Sequence, residues 1–192
     1  MKKIVMLLTV ALGLLYCYDI KGQTAFGVKG GVNIGDLSDN GYHPRVSGHG
    51  GVFVHRTINK YFCIQPEVLF SGEGQRFTFN SDNHTWALNY LQIPLMLQVY
   101  PINEFYLEVG PQVGLLLSAR DKVNDNSEHH PDLKANFATA QFSIATGLGV
   151  KLTDAVIVYG RYNFGMTDIS TSDVTTHHSN VAQVGLAYRF HQ

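Results

Sequence analysis

Five ionisable residues interrupt long runs in which apolar side chains alternate with Gly, Gln and Asn: Lys29, Glu67, Glu108, Arg161 and Arg189. On a period of two, all five fall on the polar parity of their segments. Paired carboxylates such as Glu67 and Glu108 suit general acid–base hydrolysis, and a row of charges through an apolar layer suits a selectivity filter or proton path. Hydrolysis also needs a nucleophile or histidine at the same depth, and none is expected beside the two glutamates. Charge pairing is the simpler chemistry. Five charges gathered in a narrow lumen are costly unless each finds a partner, so the pattern points to a polar plug. Gln65, Gln92, Gln98, Gln112, Asn163 and Gln183 share that parity and would take up the remaining hydrogen bonds.

Histidine is the second candidate. Seven of the nine, His43, His49, His84, His129, His130, His177 and His178, fall in or near segments expected to be loops. His129-His130 stand among Asp125, Glu128 and Asp132, and His177-His178 follow Asp173. Imidazoles beside carboxylates are ligands for zinc, copper or nickel. Directly adjacent histidines lack the i, i+2 or i, i+4 spacing that pre-forms a site, so solvated loops are expected, with a weak metal site at His129, His130, His177 and His178 as the residual. No phosphate loop with a following helix, CxxC pair, serine elbow or HExxH occurs, and nothing calls for a cofactor.

The elements that must position the charges are eight segments of period-two alternation: 25–34, 48–57, 61–79, 86–100, 105–119, 135–152, 155–166 and 180–190. In 86–100, Leu91, Ile93, Leu95, Leu97 and Val99 alternate with Tyr90, Gln92, Met96 and Gln98. The connections alternate as long polar loops (35–47, 80–84, 120–134, 167–179) and short turns (59–60, 101–104, 153–154). Short turns at one end and long loops at the other characterise bacterial outer-membrane barrels, with the turns in the periplasm. The expected fold is all-β: an eight-stranded antiparallel up-and-down transmembrane β-barrel, its greasy face toward lipid. A lipocalin-like barrel or a sandwich would put that face inside. The polar parity is Gly-rich and poor in Lys and Glu, unlike a solvent-facing surface, and suits a small lumen better. Tyr61, Phe62, Tyr100, Phe105, Tyr106, Tyr188 and Phe190 fall at the turn-side ends and would form an interfacial girdle, with Phe79 and Trp86 near the other rim.

Composition agrees. The 192 residues carry a formal net charge of −1, which excludes a nucleic-acid footprint, and 19 glycines with 10 tyrosines suit a tightly curved sheet with aromatic belts. Met1-Lys2-Lys3 followed by an apolar run to Leu15 reads as a secretory leader, too short to span a bilayer. Cleavage is expected after Gly22, giving a signal peptide of residues 1–22 and a barrel domain of residues 23–192. Lipoprotein processing at Cys17 is disfavoured by the bulky Tyr16 before it. Removal of the leader leaves Cys63 alone, so no internal disulfide can form.

Several segments also carry a family resemblance. Phe26-Gly27-Val28-Lys29-Gly30-Gly31-Val32-Asn33-Ile34, Ile64-Gln65-Pro66-Glu67-Val68-Leu69-Phe70-Ser71 with Gly74, Asn89-Tyr90-Leu91-Gln92-Ile93-Pro94-Leu95 and Tyr106-Leu107-Glu108-Val109-Gly110-Pro111 resemble the first, third, fourth and fifth strands of the PorT-like outer membrane protein beta-barrel domain family. The resemblance covers essentially the whole chain after the leader. It implies an eight-stranded, porin-like outer-membrane barrel of Gram-negative bacteria, and through PorT itself an association with protein secretion.

The function expected is therefore non-enzymatic: a structural or loop-mediated binding role in the cell envelope, with a narrow passive channel or an accessory role in protein secretion as alternatives. Expected partners are outer-membrane lipid, an extracellular ligand at the long loops and, during biogenesis, the barrel-assembly machinery. That machinery would read Tyr188 and Phe190 in the aromatic-ended last strand. No nucleic-acid partner is expected, and the chain should be a monomer.

Overall fold

In the computed structural model, which describes residues 23–37, 43–79, 82–123, 139–167 and 179–190, eight strands close into one antiparallel barrel. They are β1 (Thr24–Leu37), β2 (His43–Thr57), β3 (Phe62–Phe79), β4 (Asp82–Ile102), β5 (Phe105–Val123), β6 (Ala140–Lys151), β7 (Val156–Gly165) and β8 (Ser179–Arg189). Each pairs with its sequence neighbour, and β1 closes on β8 from Gly27↔Arg189 to Leu37↔Ser179. Closure has a physical cause. In hydrocarbon every backbone N–H and C=O needs a protein partner, and only a sheet without edges provides one for all of them.

The period-two pattern fixes which face meets lipid. Phe26, Val28, Val32, Val52, Val68, Phe70, Leu95, Leu107, Val109, Leu148, Val184 and Leu186 are exposed on the outside, while Lys29, Asn33, Glu67, Gln92, Glu108, Arg161 and Gln183 are buried inside. An inside-out distribution of this kind suits a barrel solvated by acyl chains. Among the described residues no helix is long and apolar enough to cross a membrane, and crossing is by strands.

β3, β4 and β5 run for 18, 21 and 19 residues, against 12, 10 and 11 for β6, β7 and β8. A tilted strand crosses the hydrocarbon in about 9–11 residues, so the long three rise beyond it. Two expected loops are thereby corrected. Residues 35–47 are not all loop: β1 and β2 remain paired to Gly35↔Arg45, and only 38–42 separate the two strands. Residues 80–84 reduce to 80–81, because the β3–β4 ladder continues through Arg76↔Thr85 to Phe79↔Asp82. Past the hydrocarbon both faces of a strand meet polar surroundings, so hydrophobic alternation fades while the ladder persists. The leader (1–22), most of the third expected loop and residues 168–178 of the fourth lie outside the described residues.

The girdle is also corrected. Tyr61, Phe62, Tyr188 and Phe190 face outward at the end where β1 begins and β8 finishes, the terminal end. Tyr100 and Tyr106 point into the lumen and are 5% and 3% exposed. Both lie on the inward parity, and chain-end position misleads where parity does not. With Phe53, Cys63, Ile157, Tyr159 and Ala187 they form an apolar cluster closing that end of the bore.

Eight strands leave little room inside, and the ladder makes room with glycine. Tyr106 faces Gly149 across the β5–β6 ladder, and a Cβ there would sit 2.3 Å from the ring. Phe53 stands over Gly27 on β1 in the same way.

Two stability effects follow. Leu95→Arg, which puts a charge on the lipid face in the middle of β4, should lower unfolding free energy in a vesicle-based denaturant titration by about 2–4 kcal/mol. Gly149→Ala should cost about 1–3 kcal/mol by forcing Tyr106 out of place. Gly160→Ala should be close to neutral, because nothing lies within 4 Å of its would-be Cβ. Equal losses from the two alanines would refute the tyrosine–glycine fit.

Candidate functional site: the closed lumen

The centre of the lumen is an ionic quartet drawn from every second strand: Lys29 on β1, Glu67 on β3, Glu108 on β5 and Arg161 on β7. Inward residues of alternate strands lie at similar heights in a tilted barrel, which is how four long side chains meet on the axis. Arg161 does most of the joining. Its Nη1 donates to Glu67 Oε2 at 2.9 Å and Nη2 to Oε1 at 2.8 Å, a two-pronged grip. Its Nε donates to Glu108 Oε1 at 2.7 Å. Lys29 Nζ lies 3.2 Å from Glu67 Oε1 and 4.0 Å from the centroid of the Tyr159 ring. Two positive and two negative charges balance in a site sealed from water.

Amides complete the shell. Gln65 Nε2 donates to Glu67 Oε1 at 2.8 Å and Gln98 Nε2 to Glu108 Oε2 at 3.1 Å, and the Tyr100 hydroxyl donates to Gln98 Oε1 at 3.0 Å. Every polar partner on the glutamates is thus a donor, and neither carboxylate is left to act as a base.

Two further layers extend toward the other end. Asn33 Nδ2 donates to Ser71 Oγ at 2.9 Å and to the Gly72 carbonyl at 2.7 Å. These bonds fix its Oδ1 as an acceptor for His49 Nδ1 (2.6 Å) and Gln183 Nε2 (3.1 Å). His49 must then carry its proton on Nδ1 and accept the Tyr159 hydroxyl at Nε2. Beyond it, Glu73 accepts from Gln92 Nε2 and Gln141 Nε2, and Arg45 donates to the Glu73 carbonyl. Leu88, Tyr90, Leu116 and Ala119 form a second apolar cluster inside the barrel.

Of the expected plug residues, the structure brings together Lys29, Gln65, Glu67, Gln98, Glu108 and Arg161. Gln92 and Gln183 join the outer layers. Gln112 and Asn163 are buried in the same lumen, but Gln112 Oε1 and both amide atoms of Asn163 lack a protein partner. Arg189 stands apart, on β8 at the terminal mouth. His49 and His55, on the inward parity of Phe53 within 48–57, are both buried in the lumen, with His55 Nδ1 3.2 Å from Gln65 Oε1. Proximity in sequence to the loop at 35–47 does not take His49 out of the lumen, because strand parity decides its direction. Asn33 shares the lumen parity of Lys29 and adds to the plug residues expected, and Glu73, not among those residues, continues the parity of Glu67. His129, His130, His177 and His178 lie outside the described residues, and among the described residues no group of three His, Cys, Asp or Glu could hold a metal.

The chain matches the family model described as outer membrane protein beta-barrel domain over residues 21–171. It belongs to that family. This outer-membrane barrel is similar to solved structures of neisserial surface protein A (14% identity, 87% of this chain, 97% of that one, TM-score 0.52) and of Ail, the attachment invasion locus protein of Yersinia pestis (12% identity, 88% and 99%, TM-score 0.50). At such identities the likeness is one of fold. No curated protein matches the chain.

Removing one member of the quartet strands a buried charge. Arg161→Ala leaves Glu108 without a cation and should therefore cost about 3–5 kcal/mol, more than the double replacement Arg161→Met, Glu108→Gln, which keeps the Lys29–Glu67 pair and strands no charge. Unfolding titrations in detergent micelles check the order, and a double variant less stable than Arg161→Ala would refute it.

Proposed function

We propose that this outer-membrane barrel is a shut, non-enzymatic scaffold that presents its loop end to binding partners in or outside the envelope. The observation that carries the proposal is the ionic quartet. Arg161 reaches across the axis to Glu67 and Glu108, and apolar clusters block the lumen elsewhere. An eight-stranded barrel has an interior that side chains can fill, and these do. A substrate could not reach the glutamates without displacing their cations, which argues against hydrolysis as well as conduction.

The loop end has the reach a binding role needs. β3, β4 and β5 extend well past the length that crosses the hydrocarbon, and residues 124–138 join β5 to the segment before β6. With an even strand count and an exported chain, the terminal end faces the periplasm and the loop end faces outward. The narrower PorT-like reading, an accessory component of protein secretion, rests on the strand motifs shared with that family. On this reading the protein works as a monomer assembled through its last strand, with Tyr188 and Phe190 as the aromatic signal.

Planar-bilayer recording of purified, heat-modifiable protein tests the proposal. No sustained single-channel steps are expected in 1 M salt. Replacing residues 124–138 with a short Gly-Ser linker should leave barrel folding intact and abolish binding to host-surface or envelope fractions. Salt-dependent unitary conductance in the unaltered protein would defeat the shut-barrel reading.

A further inference from the structure

The charges of the quartet balance without Arg189, which leaves a cation at the terminal mouth to be explained. Arg189 is inward-facing on β8, opposite Gly27 of β1, and its backbone N–H is held by the Ala155 carbonyl at 2.7 Å. Its guanidinium lies beside the Tyr100 hydroxyl. Lys151, at the end of β6, places its ammonium 4.6 Å from the centroid of the same Tyr100 ring. Two cations therefore converge on one tyrosine, and among the described residues no carboxylate pairs with either. Glu104 and Asp154, the acidic residues nearest Lys151, occupy exposed turns. His55, Cys63 and Tyr106 are further titratable groups at this mouth.

The pattern of unmet hydrogen bonds is specific. Arg189 Nε and Nη2 are both buried and both lack a partner. These nitrogens share one edge of the guanidinium, the edge whose two N–H vectors run parallel and grip an oxyanion through two of its oxygens. Buried guanidinium donors left unpaired are costly, and a second positive charge alongside adds repulsion. One tetrahedral oxyanion of charge near −2 would satisfy both donors and offset both charges.

We propose that the terminal mouth of the lumen is a phosphate-binding site, in which Arg189 holds two phosphate oxygens side-on and Lys151 supplies the second positive charge. The mouth opens where solutes and the headgroups of the adjoining leaflet can both arrive, so the phosphate is either free or part of a phospholipid headgroup.

The test uses the full-length barrel in a phosphate-free maltoside detergent. Titration with inorganic phosphate should shift the Arg189 Nε–H resonance saturably, and chloride at matched ionic strength should not. Arg189→Lys, which keeps the charge and loses the parallel donors, should weaken binding at least fivefold, read by phosphorus NMR linewidth. Lys151→Gln should weaken it at least threefold, with heat-modifiable mobility showing both variants folded. In a second arm, nanodiscs of phosphatidylcholine with and without phosphatidic acid, and no added phosphate, distinguish the sources. A shift confined to phosphatidic acid assigns the site to a headgroup, and one seen only with added salt assigns it to free phosphate. The proposal is overturned if neither source gives a saturable shift, if chloride matches phosphate, or if both variants bind as the parent does.

Discussion

The grip of Arg161 on two glutamates is the interaction on which the rest of the lumen depends. Its guanidinium uses Nη1 and Nη2 on Glu67 and Nε on Glu108, so one planar group ties β7 to β3 and β5 through the axis. A lysine could not do this, since an ammonium has no fixed fork and cannot face two carboxylates along separate edges. Once Arg161 is placed, the other choices narrow. Glu67 carries two cations, Arg161 and Lys29, and needs Gln65 as a neutral donor; Glu108 carries one and takes Gln98. The centre of the barrel is polar yet dry, which is stable only because each charge has a partner at hydrogen-bonding distance.

Such a centre imposes a volume rule on the walls. A bore eight strands wide cannot hold Tyr106, Phe53 or Glu108 with large residues opposite on both neighbouring strands: Phe53 already faces Glu67 and Glu108 already faces Gln98. The ladder answers by register: Tyr106 faces Gly149, Phe53 faces Gly27 and Glu108 faces Gly147. Glycine therefore sits in these strands where propensity alone would argue against it. The cost to strand stability is recovered by the ring or carboxylate that fills the space, and the inward parity looks Gly-rich for that reason.

That link between register and volume explains what could be read from the chain. Strand parity distinguished lipid-facing Leu95 from lumen-facing Gln92, because a period of two survives wherever one face meets hydrocarbon. It failed at the rim. Arg45, Asp82, Asn83 and His84 lie in paired backbone that no longer separates two solvents, so they look like loop. Parity held for His49, two positions after Ser47 and four before Phe53, although its residue type is common in loops. Partner choice was legible only as a set. Parity named Lys29, Glu67, Glu108 and Arg161 as lumen charges, but which cation meets which carboxylate depends on strand stagger, a property of the closed barrel rather than of any segment. Stagger gave the place beside Glu67 to Lys29 and left Arg189 outside.

The resulting distribution of charge is uneven along the axis, and the unevenness has a consequence. In the middle, neutral pairing shuts the bore and removes any driving force for an ion to enter. Toward the loop end, Glu73 is enclosed by donors, and an apolar cluster of Leu88, Tyr90 and Leu116 lies within the barrel. Among the described residues, positive charge gathers at the terminal mouth without a carboxylate to answer it, at the side where the aromatic rings of Tyr61, Tyr188 and Phe190 mark the interface. A barrel whose centre is filled by paired charges can still differ in chemistry at its two ends. Each end is then free to meet its own compartment: extended polar strands and loops on one side, a cationic recess on the other.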